Sequence, residues 1–179
     1  MPKTYDRPRK LDSNPVNFEG GSSYYMRMGP GEYYLNILFL DSQYNVIGRL
    51  VDKKASIESV TIPTGSNDEK VDTTVKNIAY LIAFDDTNND KKIDWNDKYD
   101  LYISDLDGKN LFQVTKEIDI KGFNFRNHHN DIFISYTDRK DVRDEYKITR
   151  FATFNIKTKQ LRELTSIDKG LGGVQKILN

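Results

Sequence analysis

Tyr102-Ile103-Ser104-Asp105-Leu106-Asp107-Gly108-Lys109-Asn110-Leu111-Phe112-Gln113-Val114 reads as strand, tight turn, strand, because β-favouring residues flank a polar break on both sides. Asp107-Gly108 tolerates the positive φ angles that a two-residue hairpin turn needs. Two further stretches can be laid over it: Leu38-Phe39-Leu40-Asp41-Ser42-Gln43-Tyr44-Asn45-Val46-Ile47-Gly48-Arg49-Leu50 and Ala152-Thr153-Phe154-Asn155-Ile156-Lys157-Thr158-Lys159-Gln160-Leu161-Arg162-Glu163-Leu164. In each, an Asp or Asn opens the turn (Asp41, Asp105, Asn155). An apolar pair then follows at the same offsets, as Ile47/Leu50, Leu111/Val114 and Leu161/Leu164. A supersecondary unit repeated in this way is the mark of a repeat architecture.

Outward from these hairpins, short β-rich runs succeed one another with polar turns between them. They are Tyr24 to Met28, Tyr33 to Leu40, Val46 to Val51, Ile57 to Ile62, Ile78 to Phe84, Leu101 to Ser104, Leu111 to Val114, Gly122 to Phe125, Ile132 to Tyr136, Ile148 to Ile156 and Leu161 to Leu164. None keeps helical spacing over a useful length, so the expected class is all-β. Residues 1–22 are rich in Pro, Asn, Gly and charge and read as a flexible tail. Residues 23–179 then form a single β-repeat domain, with Thr64 to Lys76 a polar loop and Lys169 to Asn179 either a last strand or one short helix.

Composition narrows the function classes. The 27 Lys and Arg balance 27 Asp and Glu, so nothing draws the chain as a whole to nucleic acid or an anionic membrane. Without cysteine there are no disulfides, thiol nucleophiles or thiolate metal sites, and the redox compartment stays open. The longest strongly apolar run, Ile37 to Leu40, is far short of the ~20 residues a membrane-crossing helix requires, so no transmembrane segment is expected. The basic start at Lys3, Arg7, Arg9 and Lys10 has no apolar run behind it and is not a secretory signal as it stands. The expectation is therefore a cytoplasmic protein, or an exported one whose leader has been removed.

One constellation carries chemistry. Asp86-Thr87-Asn88-Asn89-Asp90-Lys91-Lys92-Ile93-Asp94-Trp95-Asn96-Asp97 places oxygen-bearing side chains at positions 1, 3, 5, 9 and 12 of a twelve-residue loop. Calcium takes six to eight oxygens, and alternate residues of a curled loop can point inward together while a carbonyl at position 7 fills a gap. The expected ligands are Asp86, Asn88, Asp90, the Lys92 carbonyl, Asp94 directly or through water, and Asp97 on the far side. Ile93 is expected to anchor the loop to the core. Asp85, Asp86, Asp90, Asp94 and Asp97 fall within thirteen residues and are only partly offset by Lys91, Lys92 and Lys98, so a divalent ion would relieve their repulsion. Magnesium suits the loop less well, since it holds its waters and prefers a strict octahedron. This spacing resembles EF-hand and dockerin-type calcium loops, without their paired helices because Leu101-Tyr102-Ile103 reads as a strand. It departs from the EF-hand pattern in Lys91 at position 6, where Gly is usual, and Asp97 at position 12, where Glu is usual.

The segment from Tyr99 through Thr115, with Asp105-Leu106-Asp107-Gly108 at its turn, also resembles the outer hairpin of a TolB-type β-propeller blade. Phe123-Asn124-Phe125, the turn Arg126 to Asp131, Ile132-Phe133-Ile134-Ser135 and Thr137-Asp138-Arg139 are similar to the inner part of such a blade, although the usual Ser-Pro-Asp-Gly turn is missing. The resemblance covers about residues 78 to 165 and implies antiparallel, four-stranded, blade-like repeats in a partial or small propeller-like assembly. Ile47 and Leu111 lie 64 residues apart and Leu111 and Leu161 50 apart, an excess of 14 that is close to one inserted loop.

Other motifs reduce to structure. His128 and His129 sit among Asn127, Asn130 and Asp131 and read as a turn, since neighbours on an extended chain face opposite ways. Gly20-Gly21-Ser22-Ser23 lacks the Lys of a phosphate loop, and no Gly-x-Ser-x-Gly elbow is present. Thr137 to Lys147 reads as a solvated loop, and of each tyrosine pair, Tyr24-Tyr25 and Tyr33-Tyr34, one ring belongs in the core. With no catalytic constellation recognisable, the functional expectation is a non-enzymatic, calcium-stabilised scaffold that binds a protein or glycan partner. It would sit in the periplasm or outside the cell, where free calcium is abundant. The alternative is an accessory part of a secreted glycan- or peptide-hydrolase.

Overall fold

The computed structural model describes residues 23–27 by their backbone, and residues 31–63, 74–126, 128–140, 149–167 and 170. The N-terminal tail, most of the polar loop at 64–76, the stretch at 141–148 and nearly all of the ambiguous C-terminal end lie outside them. Among the described residues the chain is all-β, with eleven strands: β1 Ser23–Arg27, β2 Leu38–Leu40, β3 Val46–Arg49, β4 Ser56–Pro63, β5 Asn77–Ala83, β6 Asp100–Asp105, β7 Phe112–Gln113, β8 Ile118–Arg126, β9 Asp131–Asp138, β10 Arg150–Asn155 and β11 Gln160–Glu163. They form antiparallel sheets ordered β1-β4-β5-β6-β7, β11-β10-β9-β8 and β2-β3. Both β4 through β7 and β8 through β11 are meanders of four strands in sequence order, the blade-like unit that the repeats imply. β1 is added on the open edge of β4, with Tyr24 opposite Ile62 and Met26 opposite Val60.

The repeated hairpins share their first two cross-strand pairs. Leu38 pairs with Arg49, Tyr102 with Gln113, and Ala152 with Glu163. One step on, Phe39 pairs with Gly48, Ile103 with Phe112, and Thr153 with Arg162. The first two turns also share their chemistry. The Tyr44 and Gly108 amides donate to the Asp41 and Asp105 carbonyls, while the Asp41 and Asp105 amides donate to the Asn45 and Lys109 carbonyls. Tyr44 and Gly108 take the positive φ angles, 66° and 81°, and Asp107 does not. The turn is thus a three-residue loop ending in a left-handed residue, not the two-residue form expected from Asp-Gly. The third turn has four residues between Asn155 and Gln160, and Lys159 is the left-handed one.

Two apolar clusters arrange the sheets into three layers. Phe39, Leu50 and Val51 of the β2–β3 hairpin pack on Ile57, Val60, Ile78, Tyr80 and Ile82 of the central sheet. Ala79, Leu81, Leu101 and Ile103 face the other way, onto Ile132, Ile134, Tyr136, Ala152 and Phe154 of the four-stranded sheet. β5 alternates between the two clusters, so six of its seven residues are buried. A strand covered on both faces needs a continuous apolar run, which Ile78 to Ala83 supplies. Each fully buried aliphatic side chain contributes roughly 1.5–3 kcal/mol, and the run thereby fixes the layer order.

The expected strand from Tyr33 to Leu40 shrinks to Leu38–Leu40 plus an isolated bridge between Tyr34 and Ile57. Asn36 is the reason. Its side chain donates to the Val51 carbonyl at 2.8 Å and accepts from the Val51 amide at 3.2 Å and the Ile37 amide at 2.9 Å, replacing ladder bonds with side-chain ones.

A Cβ at Gly108 would clash with one edge of the Phe39 ring, and the backbone there is left-handed. Gly108→Ala is therefore expected to lower stability by about 2–4 kcal/mol through overpacking and backbone strain. Urea denaturation measures the loss, and in a Phe39→Ala background, where the contact is already open, the same substitution should cost less.

Candidate metal centre

The acidic loop connects Ala83 at the end of β5 to Asp100 at the start of β6, strands that lie side by side in the central sheet. Its backbone curls tightly, with Asn89 at φ 63° and Lys91 at φ 70°. The bend at Lys91 occupies position 6, where a side chain with a Cβ costs on the order of 1 kcal/mol relative to Gly.

Carboxylates and amides hold the curl together. Asp86 is the hub: one oxygen accepts from the Asp90 amide at 3.1 Å and the other from the Lys91 amide at 2.7 Å. The Asp90 amide also donates to Asn88 Oδ1 at 2.9 Å, the Lys92 amide to Asp90 Oδ1 at 2.8 Å, and the Asn96 amide to Asp94 Oδ1 at 2.9 Å. These are short side-chain-to-backbone turns of the kind that Asp and Asn favour. Asn88, Asp90 and Lys92 are exposed, and Asp86 and Asp94 are half-buried.

Asp97 differs from the rest in being buried. Its Oδ1 accepts from the Thr87 amide at 2.6 Å and the Thr87 hydroxyl at 3.0 Å, and its Oδ2 accepts from the Asp94 amide at 2.9 Å. Burial pushes its carboxyl up, but hydrogen bonds from Asp94, Thr87 and Asn88 outweigh this and hold it below the ordinary value. Thr87 in turn accepts from the Lys98 amide at 2.8 Å. Thr87, Asp97 and Lys98 therefore clasp the two ends of the loop.

The root of the loop is tied to both neighbouring layers. The Tyr99 hydroxyl bonds Ser56 Oγ at 2.6 Å and donates to the Asp94 carbonyl at 3.3 Å. Arg139, at the end of β9, donates to the Tyr99 carbonyl at 2.8 Å and pairs with Asp100 at 3.0 Å and Asp119 at 3.1 Å. Burial raises the Asp100 carboxyl, and the Arg139 guanidinium opposes the rise. The solvated loop expected from Thr137 to Lys147 is not found at its start, because Thr137 and Asp138 belong to β9 and Arg139 is mostly enclosed between the sheets, and residues 141–147 lie outside the described residues. His128 and His129 form the β8–β9 turn at positive φ, as their neighbours imply.

A hard cation asks for oxygen donors with free lone pairs, and a carboxylate offers about four. Asp86, Asp90 and Asp94 each keep lone pairs beyond the amide bonds given above, and Asn88 Oδ1 keeps one. Asp97 is the most heavily committed. Among the described residues no group of three or more Asp, Glu or His side chains stands ready as a ligand set. The donor chemistry and the curl suit calcium, and binding would require the carboxylates to turn inward from their amide partners. Ile93 is half-buried, and Trp95 is half-exposed with its ring over Gly31. Neither Thr87 nor Arg139 belongs to a ligand pattern, so the loop spacing does not single them out as its fastenings.

No family model, curated protein or solved structure matches this chain. Among the described residues no helix is long and apolar enough to cross a membrane.

Asp97→Ala strands the Thr87 and Asp94 amides and is expected to destabilise the fold by about 2–4 kcal/mol. The depressed carboxyl adds a pH signature. Its contribution is present above the unfolded-state value near 4 and is lost as pH falls through the lower folded value. Thermal melts from pH 7 to pH 2.5 should show that acid-linked decline in the parent and a shallower one in Asp97→Ala.

Proposed function

We propose that residues 86–97 bind one calcium ion, which stabilises a propeller-like β scaffold whose role is to bind a partner. The reading is carried by the path of the loop, in which the Asp86 carboxylate gathers the Asp90 and Lys91 amides while Asn89 and Lys91 turn left-handed. That path sets acidic and amide oxygens around a short bend. Asp86, Asn88 and Asp90 would hold the ion with their side chains, Lys92 with its carbonyl, Asp94 directly or through water, and Asp97 with a carboxylate oxygen. Calcium would supply charge neutralisation and rigidity, not a reaction step, since the loop has no nucleophile beside it in the sequence.

The three hairpins in one register support propeller-like repeats of the TolB type. A location in the periplasm or outside the cell fits a site weakened by the strain at Lys91, because free calcium is plentiful there. The partner would be a protein or a glycan. An accessory role in a secreted hydrolase is the competing reading, and its discriminator is catalytic activity of the whole enzyme toward glycan or peptide.

Trp95 is the single tryptophan and lies within the loop, so its emission reports on the site. Calcium is expected to shift that emission, terbium to be sensitised by the indole, and the melting temperature to rise with calcium concentration as linkage requires. Asp86→Ala should abolish all three responses. An unchanged melt and silent emission at millimolar calcium would refute the assignment.

A further inference from the structure

The three hairpins agree in where their backbones point as well as in their first cross-strand pairs. In the first, the Leu50 amide donates to the Ile37 carbonyl and the Asp41 amide to the Asn45 carbonyl, each at 2.9 Å. Hydrogen-bonded pairs alternate along an antiparallel ladder, so residues 37, 39 and 41 turn their backbone toward β3, and Leu38 and Leu40 turn theirs the other way. The second hairpin repeats this through the Val114 amide to Leu101 at 2.8 Å and the Asp105 amide to Lys109 at 2.9 Å, and the third through the Leu164 amide to Phe151 at 2.8 Å. There the outward-turned residues have partners. Tyr102 and Ser104 pair with Tyr80 and Ile78 of β5, and Ala152 and Phe154 pair with Ile134 and Ile132 of β9. β2 has β3 on one side and, among the described residues, no strand on the other. Leu38 and Leu40 are 60% and 51% exposed, and Leu38-Phe39-Leu40 carries neither charge nor proline to blunt the open edge.

The surroundings of that edge decide what fits it. β2 runs from the Tyr34–Ile57 bridge, at the Asp100 end of the central sheet, to the contact of Phe39 with Gly108 at the Asp105 end. It therefore runs in the direction of β6. Phe39 and Ile103 both face the following layer and both turn their backbone to the following strand, which puts β3 on the side of β7. The open edge of β2 thus looks toward the side of β5, β4 and β1. A second copy cannot pair there through its own β2, since the central sheet on which its Phe39 packs would fall in the space of β4 and β1. A single strand brings no such layer with it, and a glycan has no ladder of amides and carbonyls to offer.

We propose that β2 takes one extended segment of a partner protein as an added antiparallel strand, with three successive apolar residues opposite Leu40, Phe39 and Leu38. The inner strands of this chain set that composition. Ile78-Ala79-Tyr80 stands opposite Ser104, Ile103 and Tyr102, and Ile132-Phe133-Ile134 stands opposite Phe154, Thr153 and Ala152. The added strand would complete for the first hairpin the four-stranded unit that the other two layers form within the chain. It rests on the reading of the chain as a partner-binding scaffold, makes that partner a protein, and does not depend on the ion in the acidic loop.

A synthetic peptide of residues Asp131–Asp138, added to the full chain, tests this. The Leu38 and Leu40 amides should exchange freely with deuterium in the chain alone and slow by about tenfold or more with saturating peptide. An N-methyl group on Ile132 or Ile134 of the peptide, whose amides would face β2, should weaken binding by about tenfold or more, and one on Phe133, whose amide would face away, should not. Leu38→Pro removes an edge amide without touching the β3 ladder and should weaken binding likewise. A peptide that fails to bind, or that binds alike with all three N-methyl groups, overturns the proposal. So do Leu38 and Leu40 amides that are slow in the chain alone: the edge is then covered from within if the slowing is independent of protein concentration, and by a second copy if it grows with it. Trp95 emission, read in the same samples with and without calcium, keeps the two readings apart, since an ion response beside a failed peptide removes the added strand and leaves the calcium site.

Discussion

Strand β5 has no solvent side, and the rest of the molecule is arranged around that constraint. Ile78, Tyr80 and Ile82 must be covered from one direction and Ala79 and Leu81 from the other. A single sheet with one helix or one hairpin could satisfy only half of this requirement. The β2–β3 hairpin and the β8–β11 sheet supply the two covers, and the order of the layers follows. Inside the stack the Tyr80 hydroxyl meets Ser104 within the apolar surround, and burial pushes it up to about 12.

Arg139 carries its charge between the sheets with several partners at once. Arg139 reaches the Tyr99 carbonyl, Asp100 and Asp119 at once, and Gln113 donates to the second oxygen of Asp100 at 3.1 Å. This cluster sits at the edge where the central and last sheets meet the root of the acidic loop. The root of the loop is thereby held by residues of two layers, and not only by the strands the loop joins.

Much of this was legible in the sequence because the signals were local. The hairpins announced themselves through Asp41, Asp105 and Asn155 and through apolar residues at fixed offsets, and the pairing of Leu38, Tyr102 and Ala152 bears this out. The turn type was misread at Asp107-Gly108, since Asp-Gly serves both two- and three-residue loops and only the strand register decides between them. Asn36 cut short an apparent strand through bonds to Val51, fifteen residues away, which no propensity foretells. In the acidic loop, the spacing marked the ligand candidates and the bend at Lys91. It did not mark Thr87 as the partner of Asp97, because a Thr beside an Asp is unremarkable until the chain has turned back on itself.

That clasp closes the loop on itself above its anchored root. With Thr87 bonded to Asp97 and Lys98, twelve residues leave the sheet and return to almost the point of departure, while β5 and β6 pair from Asn77 with Asp105 to Ile82 with Asp100. A segment with its own fastening makes little demand on the strands that carry it. It can be lengthened or replaced without re-pairing them, which makes the β5–β6 junction a natural port for inserting a segment into a β protein.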